Sequence, residues 1–540
     1  MTRTFLRITT ATFHAVFGKQ MKRPQRTVVI MWLGAIVSLT TLAYAQSPNA
    51  SATGQVTDSS KAIIVGAHVV ATNVNTNIRY QAATNGAGDY YFPNLLPGTY
   101  RFEADMTGFK ATIKSNVVLH VQVAVEINFV AVGSASQSIT VDGGEPIVQL
   151  ATSDLGTVVD SRTTRELPLN GRSWTDLATL QPGVAAVETQ ASYSAAADRG
   201  NRGFGSQVSI SGGRVRQNSY RIDGVSVNDY SNGGPGSVLG GTLGVDAIEE
   251  FSVLTANTPA EYGRTSAGVI SAITRSGTNK LHGSAYEFLR NSALDARNYF
   301  DGTSVPPFKR NQFGAAIGGP LWKDHSFFFI DYEGNRQSTG ITNTVTVPSA
   351  QARAGHLSTG DVTVDPSAQK YLTFWALPNG PLLGAGDTGI YKFTGQQVVN
   401  ENFATGRLDH KLSNSDSLFG VFTFDDTPYS APDTLNDVML SNRTIRKTVA
   451  AQETHIFSPS LLNNVRFGLN REGVEDNLSA TAINPAAADL SLGAIAGEPA
   501  AHVSVGGLTD FLGGREDATR FLWTSYRSTM MSPLRRVGIR

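Results

Sequence analysis

Polar and apolar residues alternate with a period of two along much of this chain, which predicts strands with one face in a core or in lipid. Tyr100, Phe102, Ala104 and Met106 share one face, and Arg101, Glu103 and Asp105 the other. Further on, Leu408, His410 and Leu412 oppose Arg407, Asp409 and Lys411, and Val465, Phe467 and Leu469 oppose Arg466, Gly468 and Asn470. Phe328, Ile330 and Tyr332 oppose Asp331 and Glu333. The texture changes along the chain. Before residue 278 the runs are short and broken by turn signals such as Asn85-Gly86 and Leu96-Pro97-Gly98. After it the segments lengthen, with further strands expected over 281–290, 311–318, 417–425 and 448–457. Alternating segments of about ten residues separated by turns are the pattern of a transmembrane β-barrel. A soluble sandwich alternates as well. In a barrel, Tyr286, Phe288, Phe328 and Tyr332 are expected in the interfacial aromatic girdles, and the proline-punctuated stretch 342–400 as an extracellular loop.

Export explains the first 45 residues. Lys22, Arg23 and Arg26 precede an apolar run from Val28 to Leu42, followed by Ala43-Tyr44-Ala45. This is a secretory signal layout with cleavage expected between Ala45 and Gln46. Met21 offers a start better placed than Met1. The run is too short for a spanning helix, which needs ~20 residues, and no later stretch supplies one. A membrane form of this chain must therefore span by strands.

Composition narrows the classes further. The 540 residues carry 44 basic and 44 acidic side chains, so no global field draws in nucleic acid, and no nucleic-acid partner is expected. Charged residues are 16%, below the ~25% of an average soluble protein. Fifty-four glycines disfavour a helical bundle. The absence of cysteine removes disulfides, thiolate metal sites and Cys nucleophiles.

Residues 46–135 read as a small Ig-like β-sandwich. Gly54-x-Val56-x-Asp58, Gly66-Ala67-x-Val69, Gly88-Asp89-Tyr90-x-Phe92-x-x-Leu95-x-Pro97-Gly98-Thr99-Tyr100 and Gly108-Phe109 resemble the carboxypeptidase regulatory-like domain. Lys61 stands where that family often has a turn glycine, and Val65 where it often has proline. The resemblance implies a carbohydrate-binding-like sandwich without catalytic residues. His68 and His120 are isolated in strand runs and are read as structural.

Residues 136–277 read as a compact α+β unit. Gln137, Ser138, Ile139, Thr140 and Val141 form a short β-prone strip that is either a linker or an edge-pairing segment. It resembles the TonB box of outer-membrane receptors, with Gln137 where an acidic residue is frequent. A helix is expected over 172–180, stopped by Pro182 and Gly183. The succession Leu167-Pro168-Leu169-Asn170-Gly171-Arg172, Tyr220-Arg221-Ile222-Asp223-Gly224-Val225, Val245-Asp246-Ala247-Ile248-Glu249-Glu250-Phe251 and Thr274-Arg275-Ser276-Gly277 resembles the plug domain of TonB-dependent receptors, in the Oar-like branch. That resemblance implies a plug inside a barrel, opened by an energised TonB-type partner. The glycine-rich stretch 231–244 suits either a mobile plug apex or a surface loop.

Residues 278–517 are expected to form part of an antiparallel transmembrane barrel. Arg310-Asn311-Gln312-Phe313-Gly314, Phe327-Phe328-Phe329 and Tyr332-Glu333-Gly334 resemble the first barrel strands of the same receptors. About seven strands are expected, against about 22 in the receptors it resembles, so the barrel is read as incomplete. Residues 518–540 are read as an aberrant tail: no acidic residue follows Asp517, and Met530-Met531-Ser532-Pro533 interrupts a strand. A frameshift near 518–523 is the expected cause.

No hydrolase, kinase or zinc-protease motif is present, and Gly384-x-Gly386-x-x-Gly389 lacks the strand and helix of a dinucleotide site. No catalytic residue, cofactor or metal site is expected. The leading expectation is an outer-membrane TonB-dependent receptor importing a large substrate such as an oligosaccharide, with outer-membrane lipid and a TonB-type protein as partners. The alternative is a secreted or surface-attached carbohydrate-binding β protein.

Overall fold

The computed structural model describes residues 49–531 apart from 122, 134–138, 143–154, 167–171, 173, 188–206, 230–231, 235–243, 259–261, 264, 297–304, 306, 459–460 and 514–518. The expected signal peptide, including Ala45 and Gln46, lies outside the described residues, as do Gln137 and Ser138.

The first unit is a sandwich. One sheet pairs β1 (Ala50–Asp58) with β4 (Asp89–Leu95), β7 (Ala124–Glu126) and β8 (Phe129–Ala131). The other runs in the order β3 (Arg79–Ala83), β2 (His68–Asn73), β5 (Gly98–Asp105), β6 (Thr112–Leu119), β9 (Ile139–Asp142). The alternation read from the sequence selects the core: Tyr100, Phe102 and Ala104 are buried with Tyr90, Phe92 and Phe129. Met106 packs at its margin.

The second unit is an α+β plug. Its sheet runs β10 (Leu155–Asp160), β15 (Ile248–Ala256), β16 (Val269–Thr274), β13 (Ser219–Ile222), β14 (Val225–Ser226). Helix α1 (Ser161–Glu166) follows β10, and β11 (Val184–Val187) pairs with β12 (Gln207–Ile210). The expected helix over 172–180 is a 3₁₀ segment, Trp174–Leu180. Of the stretch 231–244, residues 231 and 235–243 fall outside the described set, so no apex is assigned.

The third unit is one long antiparallel sheet. It runs in sequence order through β17 (His282–Asn291), β18 (Phe308–Trp322) and β19 (Ser326–Pro348) to β23 (Thr388–Lys411), β24 (Asp416–Pro432), β25 (Val438–Ser458), β26 (Leu461–Ala482) and β27 (Thr519–Met531). Among the described residues β17 and β27 are its two edges, and the sheet does not close. The cross-strand register draws a hoop of outward positions: Gly283, Ile317, Ile330, Gly406, Phe422, Val449, Leu469, Tyr526. Ile317, Ile330, Phe422 and Tyr526 are exposed there. Next to it runs an inward hoop of Phe329, Arg407, Val421, Ala450 and Gly468, whose first four members are nearly inaccessible. An apolar outer face and a covered inner face match a membrane-spanning barrel wall. Turns are short at one end (323–325, 412–415, 459–460) and, apart from 433–437, long at the other (349–387, 483–518), which sets periplasmic and extracellular ends.

Three expectations are corrected. Residues 342–348 and 388–400 are strand, so the loop shrinks to 349–387. In the first missed strand end Thr342, Thr344 and Thr346 alternate with Asn343, Val345 and Val347, and the two valines are buried in the extracellular core and not turned to lipid. The aberrant tail is not aberrant over 519–531: β27 pairs in continuous register with β26. Leu522 and Tyr526 are exposed on the outer face, a pattern masked in the sequence by the flanking Arg520 and Arg527. Finally, Tyr286 and Phe288 are not girdle residues. Both rings lie under the guanidinium of plug residue Arg172, at 4.0 and 5.0 Å, whereas Tyr332 is exposed on the outer face.

The extracellular end has its own core. The loop 349–387 carries α2 (Ala350–Arg353), β20 (His356–Leu357), β21 (Gly360–Asp361), α3 (Pro366–Tyr371) and β22 (Leu382–Leu383). Phe374 from it stacks on Phe511 at 3.9 Å, and Trp375 Nε1 donates to the Thr509 carbonyl. Val345, Val347, Leu435, Val438 and Leu492 complete this cap.

Candidate plug seat and coupling segment

The plug is seated by buried charge. Arg407, on the inner face of β23, is 3% exposed. Its Nε and Nη2 donate to the Asp409 carboxylate at 2.9 and 2.8 Å. Its Nη1 reaches plug atoms: the Thr274 carbonyl at 2.9 Å, Thr274 Oγ1 at 3.1 Å and Asp223 Oδ1 at 3.3 Å. Asp223 in turn accepts from Thr274 N and Oγ1, and Ser276 Oγ donates to Asp409. Burial pushes the Asp223 carboxyl above its ordinary range, against the opposing pull of Arg407. A buried charge without such partners would cost several kcal/mol. The cluster therefore defines one docking position.

A second seat lies along β17–β19. Arg172, held at φ 54°, pairs with Asp246 at 2.5 Å and Glu333 at 3.5 Å. Gln312 donates to Glu333 and Ser284 to Asp246. Gly244 lies so close to the wall that an added Cβ would sit 2.8 Å from Glu333 Oε2 and 2.9 Å from Asp331 Oδ2. A third contact is apolar. Val225, in the β13–β14 hairpin, packs with Phe419, Val421 and Ala450. It meets β26 where Gly468 leaves room: a Cβ there would be 2.6 Å from Val225 Cγ2. The plug core itself runs into the wall, since Ala316, Phe329 and Phe403 belong to one cluster with Phe251, Ile270 and Ile222.

The sandwich docks at the periplasmic end. Asn94 donates to Thr454 and Asn464 near the β25–β26 turn, and Asn279 N donates to the Asn75 carbonyl. On the plug side, the Glu250 carboxylate contacts His120 Nδ1 and accepts from Val121 N, both at 3.0 Å. Burial raises the Glu250 carboxyl, with His120 opposing the rise. His120 is thus an interdomain contact, more than the strand histidine expected from sequence.

Of the five coupling-strip residues, Ile139, Thr140 and Val141 are described, and they open β9. The seat residues Arg407, Asp223, Arg172 and Asp246 were not singled out from sequence as a site. The available signal was charge at inward positions of alternating strands, as at Arg407 and Asp409. Asp416, Glu453 and His455 bring three ligand-type atoms within 4.8 Å at the periplasmic rim. Sequence spacing could not show this group, because β24–β25 pairing assembles it.

Comparison with known families agrees with this arrangement. A carboxypeptidase regulatory-like domain matches residues 51–132, a TonB-dependent receptor plug domain 151–270, and an outer-membrane β-barrel domain 273–521. The chain carries the plug and barrel domains of the TonB-dependent receptors, behind a regulatory-like sandwich. The TonB-dependent transporter Oar of Myxococcus xanthus is 27% identical over 280 residues, which cover 49% of this chain and 24% of that protein. This chain therefore spans about a quarter of the length of that curated relative. Among solved structures, the siderophore receptor PirA from Acinetobacter baumannii overlaps 70% of this chain and 45% of its own, at 16% identity and a TM-score of 0.42. A mutant form of the ferric enterobactin receptor PfeA from Pseudomonas aeruginosa overlaps 59% and 41%, at 16% identity and 0.37. The domains place this receptor in the Gram-negative outer membrane, in a family of transporters and receptors rather than enzymes.

Proposed function

We propose that this receptor takes up a large substrate across the outer membrane, with the plug closing the path until a TonB-type protein pulls on residues 137–141. The observation that carries the reading is Arg407, a barrel-wall guanidinium whose hydrogen bonds are shared between Asp409 of the wall and Thr274 and Asp223 of the plug. Such a seat holds the plug against diffusion and still releases it under force, because it is a set of hydrogen bonds and not a covalent link. The coupling segment is short and β-prone, suited to adding to a partner's sheet edge. Replacing Ile139 by Pro removes one backbone donor and is expected to abolish crosslinking between this strip and the TonB-type protein. Unchanged crosslinking would move the segment elsewhere.

For the substrate we propose an oligosaccharide, supported by the sandwich's family alone. Binding of the membrane-embedded receptor to a glycan panel tests it. Retention of no glycan would leave the sandwich a mechanical part.

A further inference from the structure

We propose that the outer face of the periplasmic rim carries a zinc site built from Asp416, Glu453 and His455. Strand register assembles it. Asp416, the first residue of β24, pairs directly with His455 of β25, and Glu453 stands two residues before His455 on the same strand face. One ligand atom from each side chain lies within 4.8 Å of the other two. A tetrahedral zinc ion with bonds of ~2.1 Å holds its ligand atoms ~3.4 Å apart, a spacing inside that limit. The Asp416 and His455 side chains are 31% and 33% exposed, which gives an ion a way in.

Charge gives a second reason, independent of the spacing. The contact of His455 Nδ1 with Asp416 Oδ1 accounts for one carboxylate. Glu453 has no ion pair or hydrogen bond among the described residues, and no lysine or arginine among them pairs with Asp416. Two carboxylates therefore face a single imidazole, on the face that meets lipid. Their neighbours there are apolar: Leu418, paired directly with Glu453, and Phe457 are both exposed. Like charges on adjacent strands repel, and unbalanced charge is costly beside lipid. Zn²⁺ bound by two carboxylates and a neutral imidazole has no net charge, so the ion removes both penalties. It takes the place of the proton between His455 and Asp416, and that proton passes to solvent. The ligand set selects the metal. One imidazole nitrogen and two carboxylate oxygens, with a fourth position for water, suit zinc, whereas calcium and magnesium take oxygen ligands. Outer partners already orient two of the three ligands. Ser413 Oγ donates to Asp416 Oδ2, and the Phe457 ring packs edge-on to His455 with centroids 4.2 Å apart. The ion clamps β24 to β25. Thr454, between the two β25 ligands, turns inward and accepts from Asn94 of the sandwich, so the clamp stiffens from outside the stretch on which the sandwich docks from inside.

The probe is Zn²⁺ alone, added to the full chain in detergent micelles, purified without a histidine tag and stripped with a chelator. One ion should bind tightly, and Co²⁺ in its place should show the visible absorption of a four- or five-coordinate ion. His455→Ala and Glu453→Gln should each weaken Zn²⁺ by about tenfold or more, a loss seen even for outer partners of a metal site. His502→Ala, at an exposed His–Asp pair in the extracellular loop, should leave the affinity unchanged. Glu453→Gln is the sharper variant, because the His455–Asp416 pair forms without Glu453. Unchanged affinity in Glu453→Gln would overturn the proposal, whatever His455→Ala does. Binding that survives both substitutions is an adventitious ion only and overturns it as well. Displacement of Zn²⁺ by an equal concentration of Ca²⁺ would contradict the zinc assignment. Hydrogen exchange on the unmodified chain gives a second readout. Zn²⁺ should slow exchange of the amides at 453–456, including Ile456 N, which donates to the Ser415 carbonyl. Unchanged exchange with the ion bound would contradict the clamp.

Discussion

Arg407 concentrates the logic of the molecule in one side chain: a cation on the inner wall at full burial, tolerable only because five acceptors converge on it. Removing one partner of a buried ion pair costs about 3–5 kcal/mol. Arg407→Leu should therefore unseat the plug without unfolding the wall, seen as faster hydrogen exchange in β13 and β16 and unchanged protection in β24 and β25. Lys61 makes a smaller point. It sits at φ 68° in the turn after β1, the left-handed region where its family often has glycine. Lys61→Gly removes a strain of about 1 kcal/mol and should slow local opening of that turn. Asp437, in the extracellular turn between β24 and β25, gives a pH prediction. Burial pushes its carboxyl up to about 7, helped by Asp433 and opposed by the Asn484 amide. A raised carboxyl favours the folded state when protonated. Its contribution is complete below about pH 4, the unfolded value, and is lost as pH rises to about 7 and beyond. Cap protection at residues 433–438 should decline over that window, and Asp437→Asn should flatten the decline.

At the scale of elements, the two faces of the wall strands were readable in advance, and their lengths were not. Leu408 against Arg407 and Ile330 against Asp331 give the face of each strand directly, because lipid selects one side and the seated plug the other. β19 and β23 run on for 23 and 24 residues, more than twice the ~10 that a tilted strand needs to cross a membrane. Their upper halves obey no lipid rule, so Thr, Asn and Gln there read as loop. The plug sheet was hidden for another reason: β13 pairs in parallel with β16 across nearly fifty residues of chain, and no local pattern encodes that. The seat was hidden for the same reason, since Arg407 and Asp223 meet only after both units have folded. The outer hoop supplies a prediction of its own. Phe422→Lys places a charge at the lipid face, at a cost of about 2–4 kcal/mol if it lies near the bilayer midplane. It should lower recovery in the outer-membrane fraction, whereas Phe422→Leu should not.

In the molecule as a whole the plug lies against the inner face of the wall, aligned by Arg407, Arg172 and the Val225–Gly468 contact. The last of these can be measured directly. A Cβ at position 468 would lie 3.4 Å from Val225 Cβ, close to the ~3.8 Å spacing of a disulfide, and no native thiol competes. The measurement is disulfide formation in outer-membrane vesicles by Val225→Cys paired with Gly468→Cys, against Val225→Cys paired with Leu469→Cys, whose side chain points outward. Near-complete crosslinking of the first pair and none of the second is the expected result. Equal crosslinking of the two pairs, or none in either, would contradict it.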